Sequence, residues 1–178
     1  MPYTAIKALL NPEIIQGLDT ELGRVKLKES AAGTKLQPLW CWGLDEHSVV
    51  FRPDKLKTKS ALLNPKHKGI HKGCDYIIIT KYENRNAIIF CELKSNDHKG
   101  AKEQLYCSIP FIDYLISLLK IHFGEDIGGY ERHFVIFSTA RRLRIKRTSK
   151  KLKSESHKGI PVKLAGNPPK IHIKKILL

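Results

Sequence analysis

The chain has 178 residues, 42% of them hydrophobic, which is the size of one domain and enough to bury a core of its own. Its 32 Lys and Arg against 17 Asp and Glu give a net charge of +15, which favours nucleic acid as partner, with an anionic membrane second and an unspecialised basic surface as the plain alternative. The most apolar stretch, Leu105 to Phe123, is interrupted by Pro110, Asp113 and Lys120, so it predicts amphipathic core helices and no membrane span.

The N-terminus and the cysteines bear on the cellular compartment. Met1-Pro2-Tyr3 begins no basic-then-apolar signal peptide, so a cytoplasmic protein is expected. The cysteine spacings fit neither a zinc finger nor an iron–sulfur cluster, and three of the four lie among apolar residues. Buried free thiols in a reducing compartment are therefore predicted for most of Cys41, Cys74, Cys91 and Cys107.

The first thirty residues predict a helix. Asn11 can cap a helix that begins at Pro12, and apolar residues follow at roughly helical spacing from Ile14 to Leu27. The predicted helix continues to about Ser30, although two internal glycines weaken it. A short strand over residues 24–28 is the alternative.

Further along, the pattern alternates between strands and helices. β-branched and aromatic residues predict strands at 48–51, 74–80, 87–94 and 131–138, and a closing strand pair at 160–164 and 170–176. Helix-forming residues run from Ala101 to Leu119, with Pro110 either kinking the helix or starting a second one. This order predicts a single α/β (α+β) domain over residues 1–178, built around a mixed β-sheet.

A basic exposed arm or loop is predicted at about residues 140–158. Eight of the thirteen residues from 141 to 153 are basic, and no apolar period orders them: Arg141, Arg142, Arg144, Lys146, Arg147, Lys150, Lys151 and Lys153. Such an arm would bind phosphates in a salt-dependent and largely sequence-independent way, while a solvated linker without a ligand is the alternative. Lys66, Lys68 and Lys72, which lead into the strand at 74–80, extend the same basic track.

The two strands at 74–80 and 87–94 form the clearest pattern, because a polar link joins them into a β-hairpin. Folding this hairpin about Glu83-Asn84 sets Asp75 opposite Glu92, with Cβ atoms about 4.5–5.5 Å apart, whereas a turn shifted by one residue would undo this pairing. Lys94 shares a strand face with Glu92. Two carboxylates so placed repel each other unless they share a cation.

The chemistry that this set supports is phosphodiester hydrolysis. Mg²⁺ takes oxygen ligands, and when bound it polarises the phosphate and activates water. Lys94 is placed to orient that water and to offset developing negative charge. The alternative is a strand-end salt bridge between Glu92 and Lys94, with Asp75 merely solvated.

Asp75 followed by Glu92-Leu93-Lys94 at the end of a second strand resembles the PD-(D/E)XK nuclease superfamily, which includes restriction endonucleases and Holliday-junction resolvases. The resemblance implies an α-β-β-β-α-β core, dependence on Mg²⁺ or Mn²⁺, and metal ligation by Asp75, Glu92 and the Leu93 carbonyl. It also allows a homodimer, since cutting both strands needs two centres.

Further residues follow from the same resemblance. Such families often add an acid from the first helix, for which Glu21 is the first choice and Glu29 the second. Some branches place a glutamine and a tyrosine in the helix after the motif, where Gln104 and Tyr106 lie here, and Gln104 would then contact the nucleic acid. An ordinary amphipathic helix surface explains these two residues at least as well.

Three functional hypotheses follow. The leading one is a metal-dependent endonuclease acting on nucleic acid, with DNA favoured over RNA. The second is a nucleic-acid-binding module that kept this fold and lost the reaction. The third is a structural protein that docks on an acidic partner or ribosomal RNA through the basic arm.

Overall fold

The computed structural model describes residues 2–29, 36–55, 66, 72–95, 100–139, 152–166 and 168–178. Within these ranges lie nine strands: β1 (Arg24–Leu27), β2 (Leu39–Trp42), β3 (Val49–Phe51), β4 (Tyr76–Tyr82), β5 (Arg85–Lys94), β6 (Glu131–Ser138), β7 (Lys153–His157), β8 (Ile160–Gly166) and β9 (Lys170–His172). The same ranges contain four α-helices: α1 (Pro2–Leu9), α2 (Ala101–Cys107), α3 (Ile109–Phe123) and α4 (Ile173–Leu177). Short 3-10 helices occupy Pro12–Ile14 and Pro53–Lys55.

The strands form two mixed sheets. The main sheet has the order β3-β4-β5-β6-β8-β7, in which β5, β6 and β8 are parallel and the other pairs antiparallel. The small sheet has the order β1-β2-β9, with β1 antiparallel and β9 parallel to β2. The predicted mixed α/β architecture is thereby confirmed.

The main sheet lies between two layers, because successive residues of its central strands point to opposite faces. One face, which includes Ile77 and Phe90, packs against α1, α2 and α3. The other face, which includes Ile78 and Ile89, packs against the small sheet and α4. Cys41, Cys74 and Cys91 are buried free thiols, as predicted.

The hairpin of β4 and β5 has the predicted register. Tyr76 pairs with Cys91, and the pairing continues to Tyr82 and Arg85 on either side of the turn. Glu83 takes a positive φ of 54° in that turn. This register fixes which residues of the two strands meet at the far end of the hairpin.

The helix predicted from Pro12 to about Ser30 is wrong over the residues that the structure describes, which end here at residue 29. Asn11 does accept a hydrogen bond from the Glu13 N–H (3.0 Å), but the helical turn that it caps ends at Ile14. Residues 24–27 form β1, which was the alternative. Val25 and Leu27 are buried there between more exposed neighbours, so a period of two replaces the helical spacing.

The closing strand pair is also partly wrong. β8 and β9 belong to different sheets, and residues 173–177 form α4 rather than strand. β8 pairs instead with β7, which lies inside the segment predicted to be an arm at about 140–158. β7 forms the edge of the main sheet and contains no apolar residue, so hydrophobic periodicity gave no signal for it.

The apolar stretch 101–123 forms two helices. Pro110 lies in the first turn of α3, so it starts a second helix, and Ser108 stands between the two. By length and mean hydropathy alone, Ala101–Phe123 is long and apolar enough to cross a membrane. Of its 18-residue apolar stretch, 33% is buried in the fold.

Candidate active site

Asp75 lies immediately before β4, at the end of the hairpin. The start of β4 is fixed to the break between α2 and α3, because the Cys74 N–H donates to Ser108 Oγ (2.8 Å), and both residues are buried. Since Tyr76 pairs with Cys91, the next position brings Asp75 opposite Glu92, as predicted.

Two hydrogen bonds tie these carboxyl groups across the hairpin. The Leu93 N–H donates to Asp75 Oδ2 (2.7 Å), and the Asp75 N–H donates to Glu92 Oε2 (3.3 Å). The N–H and C=O of one strand residue point to the same side, so the Leu93 carbonyl lies on the side of Asp75. The residues expected to act together are therefore neighbours at one end of the sheet.

Lys94 completes this group. Its Nζ lies 2.7 Å from Glu92 Oε1 and donates to Gln104 Oε1 at 2.7 Å. Gln104, from α2, in turn donates through Nε2 to the Gly73 carbonyl at 3.5 Å. Gln104 thus holds the ammonium group in place, whereas the sequence had suggested it as a contact to nucleic acid.

Burial dominates the electrostatics of the two acids. The Glu92 side chain is fully buried, and this desolvation, helped by the charge of Asp75 and opposed by Lys94, raises the pKa of Glu92 to about 8. Burial also raises the pKa of Asp75 to about 6, against the hydrogen bond from Leu93. One ammonium group does not compensate two carboxylates that have lost most of their hydration.

Glu21, the first choice for an additional acid, does not lie on a helix. It lies in the exposed turn before β1, at the opposite end of that strand from Glu29. The charge of Glu29 is one of those that raise the pKa of Asp75, and the charge of Asp54 is another. The second choice, Glu29, therefore lies nearer the carboxylate pair than the first.

The donor set fits a hard divalent cation. Among the residues that the structure describes, no three His, Cys, Asp or Glu side chains come together as a ready-made metal site. Mg²⁺, however, is commonly held by one or two carboxylates plus water and substrate phosphate. Asp75, Glu92 and a backbone carbonyl are oxygen donors of the kind that suits Mg²⁺ and Mn²⁺.

The predicted phosphate contacts are only partly described. Lys72 is exposed just before the candidate site, and Lys66 is exposed as well. Lys68 and the arm residues lie outside the described residues: Arg141, Arg142, Arg144, Lys146, Arg147, Lys150 and Lys151. Lys153 lies on β7.

Tyr106 lies on α2, the helix after the motif, and packs against the main sheet. Its hydroxyl donates to the His157 carbonyl, and its ring stacks on Phe134 at 6.2 Å between ring centroids. It therefore joins α2 to strands β6 and β7 of the main sheet. An ordinary amphipathic helix position, the stated alternative, describes it better.

Sequence reasoning missed Ser108, which anchors the start of β4. The signal available was Pro110, which marks a helix start and so a capping position just before it. Comparison with protein-family models, curated proteins and solved structures yields no match for this chain. Function is therefore inferred from the chemistry of the site.

Proposed function

We propose that the protein is a metal-dependent nuclease of the PD-(D/E)XK type, which hydrolyses phosphodiester bonds of nucleic acid, with DNA favoured over RNA. The observation that carries this proposal is the joined set at the end of the hairpin. Asp75 and Glu92 are linked through backbone hydrogen bonds, and the Lys94 ammonium lies 2.7 Å from Glu92. The buried Glu92 and the half-buried Asp75 face one ammonium group, and a divalent cation would compensate the remaining negative charge.

The order of elements supports the same proposal. When β1 and β2 of the small sheet are set aside, the α-helices and main-sheet strands from α1 to β6 occur in the α-β-β-β-α-β order that the resemblance implies: α1, the meander β3-β4-β5, the helices α2 and α3, and β6. The small sheet and the β7–β8 pair are then additions to a restriction-endonuclease-like core.

Each residue has a separate task in this proposal. Asp75, Glu92 and the Leu93 carbonyl would hold Mg²⁺ or Mn²⁺. When bound, the metal supplies Lewis acidity at the phosphate and lowers the pKa of bound water. Lys94, fixed by Gln104, orients the attacking water and stabilises negative charge on the phosphate oxygens.

A second candidate is the non-catalytic binding module. Two observations favour it: Lys94 already pairs with Glu92, and the Leu93 N–H already occupies Asp75 Oδ2. Several polar groups of the site are therefore satisfied without metal. Asp75 is nevertheless not merely solvated, because burial raises its pKa to about 6.

The decisive experiment is cleavage by the purified full chain with Mg²⁺, with Mn²⁺ or with EDTA. The substrates are supercoiled plasmid, linear, branched and single-stranded DNA, and RNA. We expect metal-dependent cleavage, and a loss of at least about 100-fold in Asp75→Asn and in Glu92→Gln.

Glu131→Gln is the matched control, because Glu131 is also a main-sheet glutamate paired with a basic residue, Arg85. It should cleave as the wild type does. Equal cleavage by all variants would indicate a contaminating nuclease. Binding without cleavage under every metal and substrate would favour the non-catalytic module.

A further inference from the structure

The outer face of the small sheet carries aromatic and basic side chains together. Buried and more exposed residues alternate along β1 and β2, and the buried ones are Val25, Leu27, Leu39 and Cys41. The residues that alternate with them therefore point outward. β9 pairs with β2 and adds two exposed residues to the same side. We call this set the aromatic–basic face: Arg24, Lys26, Trp40, Trp42, Lys170 and His172.

The Arg24 guanidinium lies over both indole rings. Its guanidinium carbon is 4.3 Å from the ring centroid of Trp40 and 5.1 Å from that of Trp42. Its Nε donates to Asp19 Oδ2 at 2.8 Å, and the Lys26 ammonium lies 5.7 Å from the Trp40 ring. The result is a planar cation held in a fixed position, with aromatic rings behind it.

A cavity opens on this face. Its volume is about 330 Å³, and it is lined by Trp42, Lys170, Ile171 and His172. This volume lies at the lower end of the range for small-ligand sites. The Trp42 indole N–H is shielded from water and has no hydrogen-bond partner among the described residues, which leaves a donor for a ligand atom that reaches it.

The charges restrict the occupant. Asp19 is already bound by Arg24, so the cations of the aromatic–basic face outnumber this acid among the described residues. A second copy of the same face would be repelled, and the cations above the indoles disfavour an apolar partner. A duplex offers phosphates but keeps its base faces stacked inside. An unpaired strand offers both phosphates and free base faces, which stack on aromatic rings and on guanidinium planes.

We propose that the aromatic–basic face binds single-stranded nucleic acid. Bases stack on the Arg24 guanidinium and on the two indoles, while Lys26 and Lys170 pair with phosphates. This binding requires no metal and no cleavage, so it stands apart from the proposed nuclease activity.

The face also leads toward the candidate active site. Exposed Lys28 continues the row of Arg24 and Lys26, one residue beyond β1. Its backbone N–H and carbonyl both bond to the Tyr76 hydroxyl at 2.9 Å, and Tyr76 is the neighbour of Asp75. Single-stranded nucleic acid that lies along β1 is therefore directed toward the end of the β4–β5 hairpin.

Tryptophan fluorescence tests the proposal directly, because the chain has two tryptophans and both lie on this face. The full chain in EDTA is titrated with an oligothymidylate of about 20 nucleotides, with a duplex of equal length and with inorganic polyphosphate. We expect the oligothymidylate to quench the tryptophans most strongly. Absence of any fluorescence change at saturation would overturn the proposal, and so would equal quenching by polyphosphate.

Variants measured by anisotropy of a labelled oligothymidylate give the energetic test. Trp40→Leu should weaken binding about tenfold or more, as expected for the loss of a stacked base. Lys26→Gln should reduce the slope of log affinity against log salt by about 0.7, one phosphate contact on a single strand. Tyr114→Leu is the matched control, since Tyr114 is an aromatic residue that is 62% exposed on α3. The main sheet separates α3 from the small sheet.

Equal affinities of Trp40→Leu and Tyr114→Leu would contradict the proposal. Self-association that Trp40→Leu abolishes would also contradict it, because a second copy would then cover the face. If Trp40→Leu fails to fold by circular dichroism, the double variant Lys26→Gln with Lys170→Gln decides, since it keeps both indoles. Wild-type affinity in that double variant would overturn the proposal.

Discussion

β5 places a charged pair at each of its ends, where the same types of residue meet in different surroundings. At its first residue, Arg85 contacts Glu131 of β6 at 2.5 Å, and the side chains are 37% and 43% exposed. The hydrogen bond from Arg85 lowers the pKa of Glu131 to about 2. At the other end, Lys94 contacts a Glu92 side chain that is 0% exposed, and burial raises the pKa of Glu92 to about 8.

The difference shows that a basic partner alone does not set the charge of a glutamate. At the exposed end, water solvates both ions and the pair is satisfied. At the buried end, Glu92 has lost its hydration and also has Asp75 beside it, so one ammonium at 2.7 Å does not offset both effects. The buried end therefore favours either a proton or a divalent cation, and the exposed end favours neither.

The largest predicted effect is a pH dependence of stability in EDTA. The folded-state pKa of Glu92 is raised from its ordinary 4.5 to about 8, so its contribution to stability is complete below about pH 4.5 and is lost as the pH rises to about 8. The loss should be roughly 3–5 kcal/mol, and urea unfolding at about pH 5 and about pH 8 measures it. Glu92→Gln should remove most of this dependence.

Glu131 should show the opposite sign. Its pKa is lowered, so its contribution is present above about pH 4.5 and is lost as the pH falls toward 2. Glu131→Gln should therefore leave the fall between about pH 5 and about pH 8 unchanged. Identical slopes in the wild type and in Glu92→Gln over that interval would show that the buried end is not under-compensated.

The second prediction concerns metal. At about pH 8, Mg²⁺ at roughly 100 times its dissociation constant should raise the free energy of unfolding by about 2.7 kcal/mol, because it binds the folded state alone. Thermal or urea unfolding measures the rise. Asp75→Asn and Glu92→Gln should show none of it, and Glu131→Gln should match the wild type. A rise that survives in Glu92→Gln would place the metal elsewhere.

The third prediction separates positioning from folding. Gln104→Ala removes the oxygen that accepts from Lys94, so kcat for cleavage should fall about tenfold while KM changes less than about twofold. Steady-state kinetics with an unchanged melting temperature would support this role. Glu103→Ala, an exposed neighbour on α2, should behave as the wild type. Equal kinetics for the two variants would show that Gln104 does not position Lys94 for cleavage.

The smallest effect is expected at the exposed end of β5. Arg85→Gln should cost less than about 1 kcal/mol of unfolding free energy, and the difference should shrink in high salt. Urea unfolding at two salt concentrations measures it. A loss above about 2 kcal/mol would mean that the contrast between the two ends is smaller than the burial of their side chains indicates.

The hairpin could be predicted from the sequence because its signals are local. Two β-branched runs and a polar link predict the hairpin, and a turn centred on Glu83-Asn84 then brings Asp75 opposite Glu92. The sequence did not exclude a turn shifted by one residue. β6 and the helix start at Pro110 follow from equally local patterns.

Other elements depend on tertiary contacts that local patterns do not contain. Residues 24–27 form β1 and not the predicted helix, because Val25 and Leu27 are buried against the main sheet. β7 is polar throughout and is ordered by pairing with β8. For the same reason the local sequence does not distinguish Glu29 from Glu21, and Gln104 meets Lys94 only because α2 packs beside β5.

The pairing of β2 with β9 has a consequence for biosynthesis. Trp40 and Lys170 are register partners although about 130 residues separate them, whereas β4 and β5 are joined by a tight turn. On the ribosome the hairpin can therefore form early, and the three-stranded layer closes only after β9 has emerged. Until then one edge of β2 stays unpaired, which makes the nascent chain prone to aggregation at that edge.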